Sequence, residues 1–351
     1  MRYFAISLLL LPLLAGCGGS ESGAKQEKGI ILLKYAVGSE STENRERGFL
    51  ETIQKEYPEI HILSSDQYAG TVPQAAQDKA QQMLLKYGDR VTGIFCVCEP
   101  NAEGMLKALE QVKMAGKVKL IGFDPSSGMN RAMERNHMQG IVLQDPVRMG
   151  YLSVKTMVDH LEGKEVKKRI STGETVATPE NMHDPEIAKL LSPQQFKGLS
   201  ASTSAENAKY TIAVIPKGTS HEFWKSVHFG ADQAAKELGN VHVIWQGPLN
   251  EGDRSIQIDI VNTMITKKVD GICLAPLDSR ALVEPVRQAA KAGIPTVIFD
   301  SGLDDESDIV SYVATDNYQG GVLAARRLAE VIGYSKRPPS EKSSEASGGS
   351  E

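Results

Sequence analysis

The sequence predicts an α/β protein made of βα units around parallel sheets, arranged in two series. Two observations carry this reading. Short apolar, β-branched runs alternate with amphipathic segments through the body of the chain, as strands and covering helices do. The alternation also runs twice, once from Ile30 and again from Tyr210, across a Ser- and Ala-rich stretch at 192–208. At 351 residues the chain has room for two domains, since a domain takes roughly 100–200 residues.

In the first series the apolar runs place strands at 30–37, 60–64, 91–97, 118–123 and 141–143. Between them, apolar residues at helical spacing place helices at 42–57, 72–87, 101–115 and 128–136, with another at 147–161. The second series has strands at 211–215, 241–245, 271–275, 296–299 and 309–313, and helices at 223–238, 255–268, 280–292 and 319–332. Several strands end in polar or turn-forming residues: Asp124-Pro125, Gln144-Asp145-Pro146, Pro276 and Asp300-Ser301. The carboxyl ends of parallel strands line the crevice where open α/β sheets bind ligands.

Composition narrows the function classes. The apolar share of 41% and charged share of 24% suit an ordinary globular chain. A net charge of −5 argues against a nucleic-acid partner, which needs a basic footprint. The motifs GxSxG, HExxH, GxxxxGK and GxGxxG after a strand are absent, and His221-Glu222 lacks a second histidine. Cys96 and Cys98 lie one residue apart and Cys273 is remote, which is neither a disulfide framework nor a zinc pattern. These three read as small buried hydrophobes. No cofactor and no metal is expected.

The N-terminus carries a targeting signal. Arg2 is followed by an apolar stretch from Tyr3 to Leu14, too short to span a bilayer as a mature helix. It ends in Leu14-Ala15-Gly16-Cys17, which resembles a bacterial lipoprotein signal with Cys17 as the lipidated residue. The polar, small residues that follow suit a tether, so 1–28 reads as signal and tether. The tail at 335–351, rich in Ser, Glu and Gly, is expected to be disordered.

Two stretches resemble the type I periplasmic sugar-binding family, the ribose-binding-like solute receptors of ABC importers. Ile212-Ala-Val-Ile-Pro-Lys-Gly218 with His221-Glu-Phe-Trp-Lys-Ser-Val-His-Phe-Gly-Ala231 is similar to the family's first strand, aromatic loop and first helix. Gly38-Ser-Glu-Ser-Thr-Glu-Asn-Arg-Glu-Arg-Gly-Phe49 is similar to the loop and helix that open its second lobe. Ala275-Pro-Leu-Asp-Ser279, 294–300, Thr315-Asp-Asn317 and Ile121-Gly-Phe-Asp124 support the match. The family order is reversed here: the part resembling 210–333 normally comes first. The resemblance therefore implies two doubly wound parallel-sheet lobes joined by hinge crossovers, circularly permuted. It implies a second-lobe-like domain at 29–144 with 173–191 and 316–334. A first-lobe-like domain takes 145–172 with 209–315, and 192–208 is the linker. Chain breaks of this kind are tolerated because domain termini lie at the surface.

A sugar offers hydroxyls and weakly apolar ring faces, so its site needs planar side chains and charged or amide groups. The resemblance assigns Phe223, Trp224 and Tyr68 to an aromatic sandwich, with one of the adjacent pair belonging to the core. It assigns His221, Asp300, Arg45, Asp124 and Gln144 to hydroxyl recognition, and leaves Arg47 exposed. Where many relatives carry an amide, this chain has Cys98 and then Glu99. A thiol is a poor hydroxyl partner, so either Glu99 takes the role or the ligand lacks a hydroxyl there.

The resemblance implies a non-enzymatic, lipid-anchored monomer in the cell envelope, on the periplasmic or extracellular face. It would capture a monosaccharide-like ligand and deliver it to ABC permease subunits. The alternatives are a tethered sugar sensor feeding a signalling receptor, or a sugar-acting enzyme.

Overall fold

A computed structural model describes residues 27–192 and 205–336. Cys17, most of the tether and linker, and all but the start of the tail lie outside the described residues. Among the described residues no helix is long and apolar enough to cross a membrane.

The chain forms two six-stranded sheets, one in each of two lobes. The first lobe is built on β1 (Gly29–Lys34), β2 (Ile62–Tyr68), β3 (Val91–Cys96), β4 (Lys119–Phe123) and β5 (Gly140–Gln144). These run parallel in the order β2-β1-β3-β4-β5, and β7 (Glu174–Ala177) adds an antiparallel edge. The second lobe is built on β8 (Tyr210–Ile215), β9 (Val241–Trp245), β10 (Gly271–Leu274), β11 (Thr296–Phe299) and β12 (Ser311–Ala314). Its order is β9-β8-β10-β11-β12, with β6 (Arg169–Ser171) parallel at the edge. Each lobe is thus doubly wound, with a switch point beside its first strand.

Burial explains the sequence pattern. Ile30 to Leu33 and Ile212 to Ile215 are fully buried, because helices cover both faces of a parallel sheet and continuous apolar runs result. Cys96 and Cys273 are free, buried core residues, and burial pushes both thiols well up.

The remaining helices cover these sheets: α1 (Glu40–Glu56), α2 (Pro73–Tyr87), α3 (Glu99–Gln111) and α4 (Ser127–Glu134) in the first lobe, and α7 (Glu222–Leu238), α8 (Arg254–Lys267) and α9 (Val283–Lys291) in the second. Two helices cross over. After β5 the chain enters the second lobe as α5 (Pro146–Leu161), which packs on α7. After β12 it enters the first lobe as α10 (Asn317–Val331), which packs on α1. Both crossings need glycine. A Cβ on Gly150 would lie 2.0 Å from the Val227 carbonyl oxygen, and one on Gly321 2.1 Å from that of Arg45. The crossovers at 171–174 and 315–317 run side by side, with the Thr172 and Thr315 hydroxyls 3.2 Å apart.

The three short elements β6, β7 and α6 (Pro185–Leu191) had no counterpart in the sequence reading. They are brief and almost all exposed or half-buried, so no apolar run announces them.

Candidate ligand-binding site

The carboxyl ends of both sheets face each other across a narrow cavity of about 40 Å³. Strand ends on both sides supply its walls. Asp124 follows β4 and Asp300 follows β11, and both take left-handed backbone, with φ of 61° and 63°. Aspartate tolerates this region better than most residues. Each still donates its N–H to the next strand, Asp124 to Val142 at 3.0 Å and Asp300 to Val313 at 3.1 Å. The ladder is kept while the chain turns its carboxylate to the cavity.

Arg45, on α1, is 3% exposed. Its Nε donates to Asn317 Oδ1 at 2.8 Å, and Nη1 donates to the Val97 carbonyl at 2.9 Å. The same nitrogen lies 3.6 Å from Asp124, and the guanidinium stacks over the Phe123 ring. Gln144, ending β5, donates to Asp124 Oδ1 at 2.8 Å. Burial pushes the Asp124 carboxyl up to about 6, against the lowering effect of Arg45 and Gln144. Arg47 is exposed on the outer face of α1.

The second lobe presents Phe223 and Trp224, an edge-on pair with centroids 4.8 Å apart. Both line the cavity, and Trp224 also packs into the core at 2% exposure. Trp224 Nε1 donates to Glu251 Oε1 at 2.7 Å, and His221 Nδ1 lies 3.0 Å from the same oxygen. Burial alone would raise Glu251. The His221 hydrogen bond and charge, the Lys217 charge and the Trp224 bond outweigh it and hold Glu251 at about 2. His221 is desolvated, but the Glu251 carboxylate outweighs that and raises it.

Lys217, in the loop after β8, is 3% exposed and pairs with Asp300 at 2.7 Å. It also donates to Ser301 Oγ at 2.6 Å and reaches across the cleft to Ser41 Oγ at 3.1 Å. The buried Gln257 amide fixes that loop by donating to the Pro216 and Ala275 carbonyls. Further bonds span the lobes. Tyr35 donates to Glu251 Oε2 at 3.0 Å, and the Ser41 N–H donates to Ser301 Oγ at 3.1 Å.

Cys98 and Glu99 also line the cavity. Cys98 precedes α3 and is buried, which raises its thiol strongly. Glu99 opens that helix, and burial pushes its carboxyl up to about 8.

The cavity thus gathers every residue assigned from the sequence except Tyr68. Tyr68 ends the outer strand β2, is 40% exposed, and accepts a hydrogen bond from Lys34 outside the cavity. Tyr35, in the loop after β1, is the aromatic this lobe sends to the site. The sequence reading also missed Lys217, Glu251 and the serines 39 and 41. Lys217 and Glu251 lie in the loops after β8 and β9, so the strand-end rule applied to every strand would have found them. Among the described residues no group of three or more His, Cys, Asp or Glu could hold a metal ion.

The periplasmic binding protein domain family matches residues 13–165 and 212–338. The chain belongs to this family. Among curated members, the D-ribose/D-allose-binding protein of Pseudomonas aeruginosa is 34% identical over 149 residues, 41% of this chain and 47% of that protein. The D-allose-binding periplasmic protein of Escherichia coli is 35% identical over 142 residues, 39% and 45% of the two chains. Each alignment spans about half the length of the curated relative. A periplasmic solute-binding protein from Actinobacillus succinogenes 130z, solved with bound D-allose, matches with a TM-score of 0.58 at 13% identity. That match covers 87% of this chain and 92% of the other, and it shows the shared two-lobed fold. These relatives are named for binding rather than for catalysis.

Proposed function

We propose that this family member is an extracytoplasmic solute receptor that captures a monosaccharide or similar polyhydroxy ligand between its lobes and delivers it to an ABC importer. The observation that carries this is the composition of the cleft. Phe223 and Trp224 offer apolar ring faces, while Asp124, Asp300, Arg45 and Lys217 supply charged hydrogen-bonding groups from both lobes. Stacking combined with charge-assisted hydrogen bonds is how a polyol is held in a water-poor site. The names of the ribose- and allose-binding relatives support the ligand class.

Ligand that touches both lobes favours closure by differential affinity, through bending at the crossovers. Lys217–Ser41 and Tyr35–Glu251 tie the two lobes together in this structure. An importer would recognise that closed form.

Two finer points belong to this proposal. Cys17 anchors the protein to a membrane by lipid, a reading supported by Leu14-Ala15-Gly16-Cys17. Replacing Cys17 with Ser should move the protein out of the membrane fraction, and unchanged fractionation would refute the anchor. The chain is also a circular permutant. Supporting this, the end of α10 lies against Gly93, the β3 partner of Ile30, so Gly333 ends near the start of β1.

The main test is a thermal-shift screen of residues 29–351 against pentoses, hexoses, polyols and sugar acids. A concentration-dependent rise in Tm with one class is expected, because binding to the native state stabilises it by mass action. A cooperative melt unmoved by every member of the panel would contradict the proposal.

A further inference from the structure

One acid of the cleft lacks a paired base. Asp300 pairs with Lys217 at 2.7 Å, Asp124 with Arg45 at 3.6 Å, and Glu251 with His221 at 3.0 Å. Glu99 is the fourth acid of the cavity wall; the cavity's bases Arg45, Lys217 and His221 pair with the other three, and no base among the described residues pairs with it within ion-pair distance. Its Oε2 is buried without a hydrogen-bond partner. The other orphan polar atom of the cavity wall is Gln144 Oε1, on a side chain that is 2% exposed. Gln144 Oε1 is an acceptor, and so is Glu99 Oε2 once its carboxyl is ionised. A complementary ligand brings donors, and on the Glu99 side a positive charge that holds the carboxyl ionised.

Resting on the reading of this cleft as a sugar site, we infer that its ligand is an amino sugar, or a like polyol bearing an ammonium group, with the nitrogen against Glu99. An ammonium has donors and no acceptor. It satisfies Oε2 and balances the ionised carboxylate in one contact. A neutral hydroxyl satisfies the hydrogen bond but leaves either a buried unpaired carboxylate or a protonated acid.

Four other titratable groups bear on Glu99. His221 from the second lobe lowers its pKa, while Asp124 after β4, Glu103 on its own helix and Glu222 on α7 raise it. With burial as the main cause, Glu99 carries its proton at neutral pH in the empty cleft. Binding of an ammonium releases that proton to solvent, while the ligand keeps its own.

The test is calorimetric titration of the protein with glucosamine, galactosamine and mannosamine. The parent hexoses and N-acetylglucosamine serve as uncharged controls. Titrations at mildly acidic pH in two buffers of different ionisation enthalpy count the protons. A hexosamine should bind at least about tenfold more tightly than its parent hexose, the worth of a hydrogen bond to a charged group. It should release about one proton per complex. Glu99→Gln, confirmed folded by its melt, should bring hexosamine affinity down to that of the hexose and abolish the release. Hexoses that bind as tightly as hexosamines, with no proton released, would overturn the amine assignment and leave the sugar-binding function standing. Failure of both sets to bind would overturn the sugar reading and this inference with it.

Discussion

Asp124 and Asp300 are structural counterparts in the two lobes. Each follows the fourth strand of its lobe, each has a positive φ near 60°, and each bonds its N–H to the fifth strand. Each is less than a tenth exposed and is paired with a base, Arg45 or Lys217. The two lobes therefore bring the same device to opposite sides of the ligand. Asn tolerates the same backbone, so Asp124→Asn changes charge with little strain. It should weaken sugar binding by about 10- to 100-fold, the worth of a hydrogen bond to a charged group. Calorimetry reads the affinity and a thermal melt shows the fold intact. Unchanged affinity would remove Asp124 from the binding site.

Strand and helix positions were legible because the central strands are buried on both faces, and so read as unbroken apolar runs such as Ile30 to Leu33. Asp124, Gln144 and Asp300 were legible because a polar residue directly after such a run stands at the crevice. Tyr68 misled for a physical reason: β2 is the outermost strand and runs to Tyr68 itself, which leaves the ring at the sheet's edge beside Lys34. Glu251 was invisible because its role depends on His221, Trp224 and Tyr35 converging from other segments, which no local pattern records.

The helix crossings of the two lobes rest on glycine. Gly150→Ala would force a methyl group against the Val227 carbonyl, and Gly230 makes the same approach to that of Val147. Separating α5 from α7 should cost about 1–3 kcal/mol or more, as overpacking does. Tm should fall by several degrees, while Gly252→Ala, where the added methyl would meet only the Thr71 hydroxyl at 3.6 Å, serves as a control. A Gly150→Ala protein as stable as the parent would contradict the close packing.

The cleft acids set a pH dependence for the ligand-free protein. Asp124 sits at about 6 and Glu99 at about 8, both above their unfolded values of about 3.9 and 4.3. The folded state therefore holds extra protons between those limits. Their stabilisation is fully present below the unfolded values and is lost as pH rises through about 6 and about 8. His221, raised by Glu251, acts in the same direction. Glu251, held at about 2, acts in reverse, stabilising above its unfolded value and losing that effect as pH falls toward 2. Tm should decline from mildly acidic to alkaline pH, and Glu99→Gln should flatten the upper part of the decline. A Tm that rises over this range would refute the assignments.

If the chain is a permutant, restoring the other order should preserve it. A chain running 210–333 and then 29–191 keeps both sheets and all the cleft residues. It should melt cooperatively at a similar Tm and bind the same sugar with similar affinity. A reordered chain that folds but loses binding would argue that the present order is needed to build the cleft.

The central claim is that ligand is held between the lobes, and amide hydrogen exchange tests it most directly. With the tightest ligand from the sugar panel, protection should rise together at 38–45 of the first lobe and 216–224 of the second. Protection confined to one lobe, or placed away from both strand-end loops, would contradict the account.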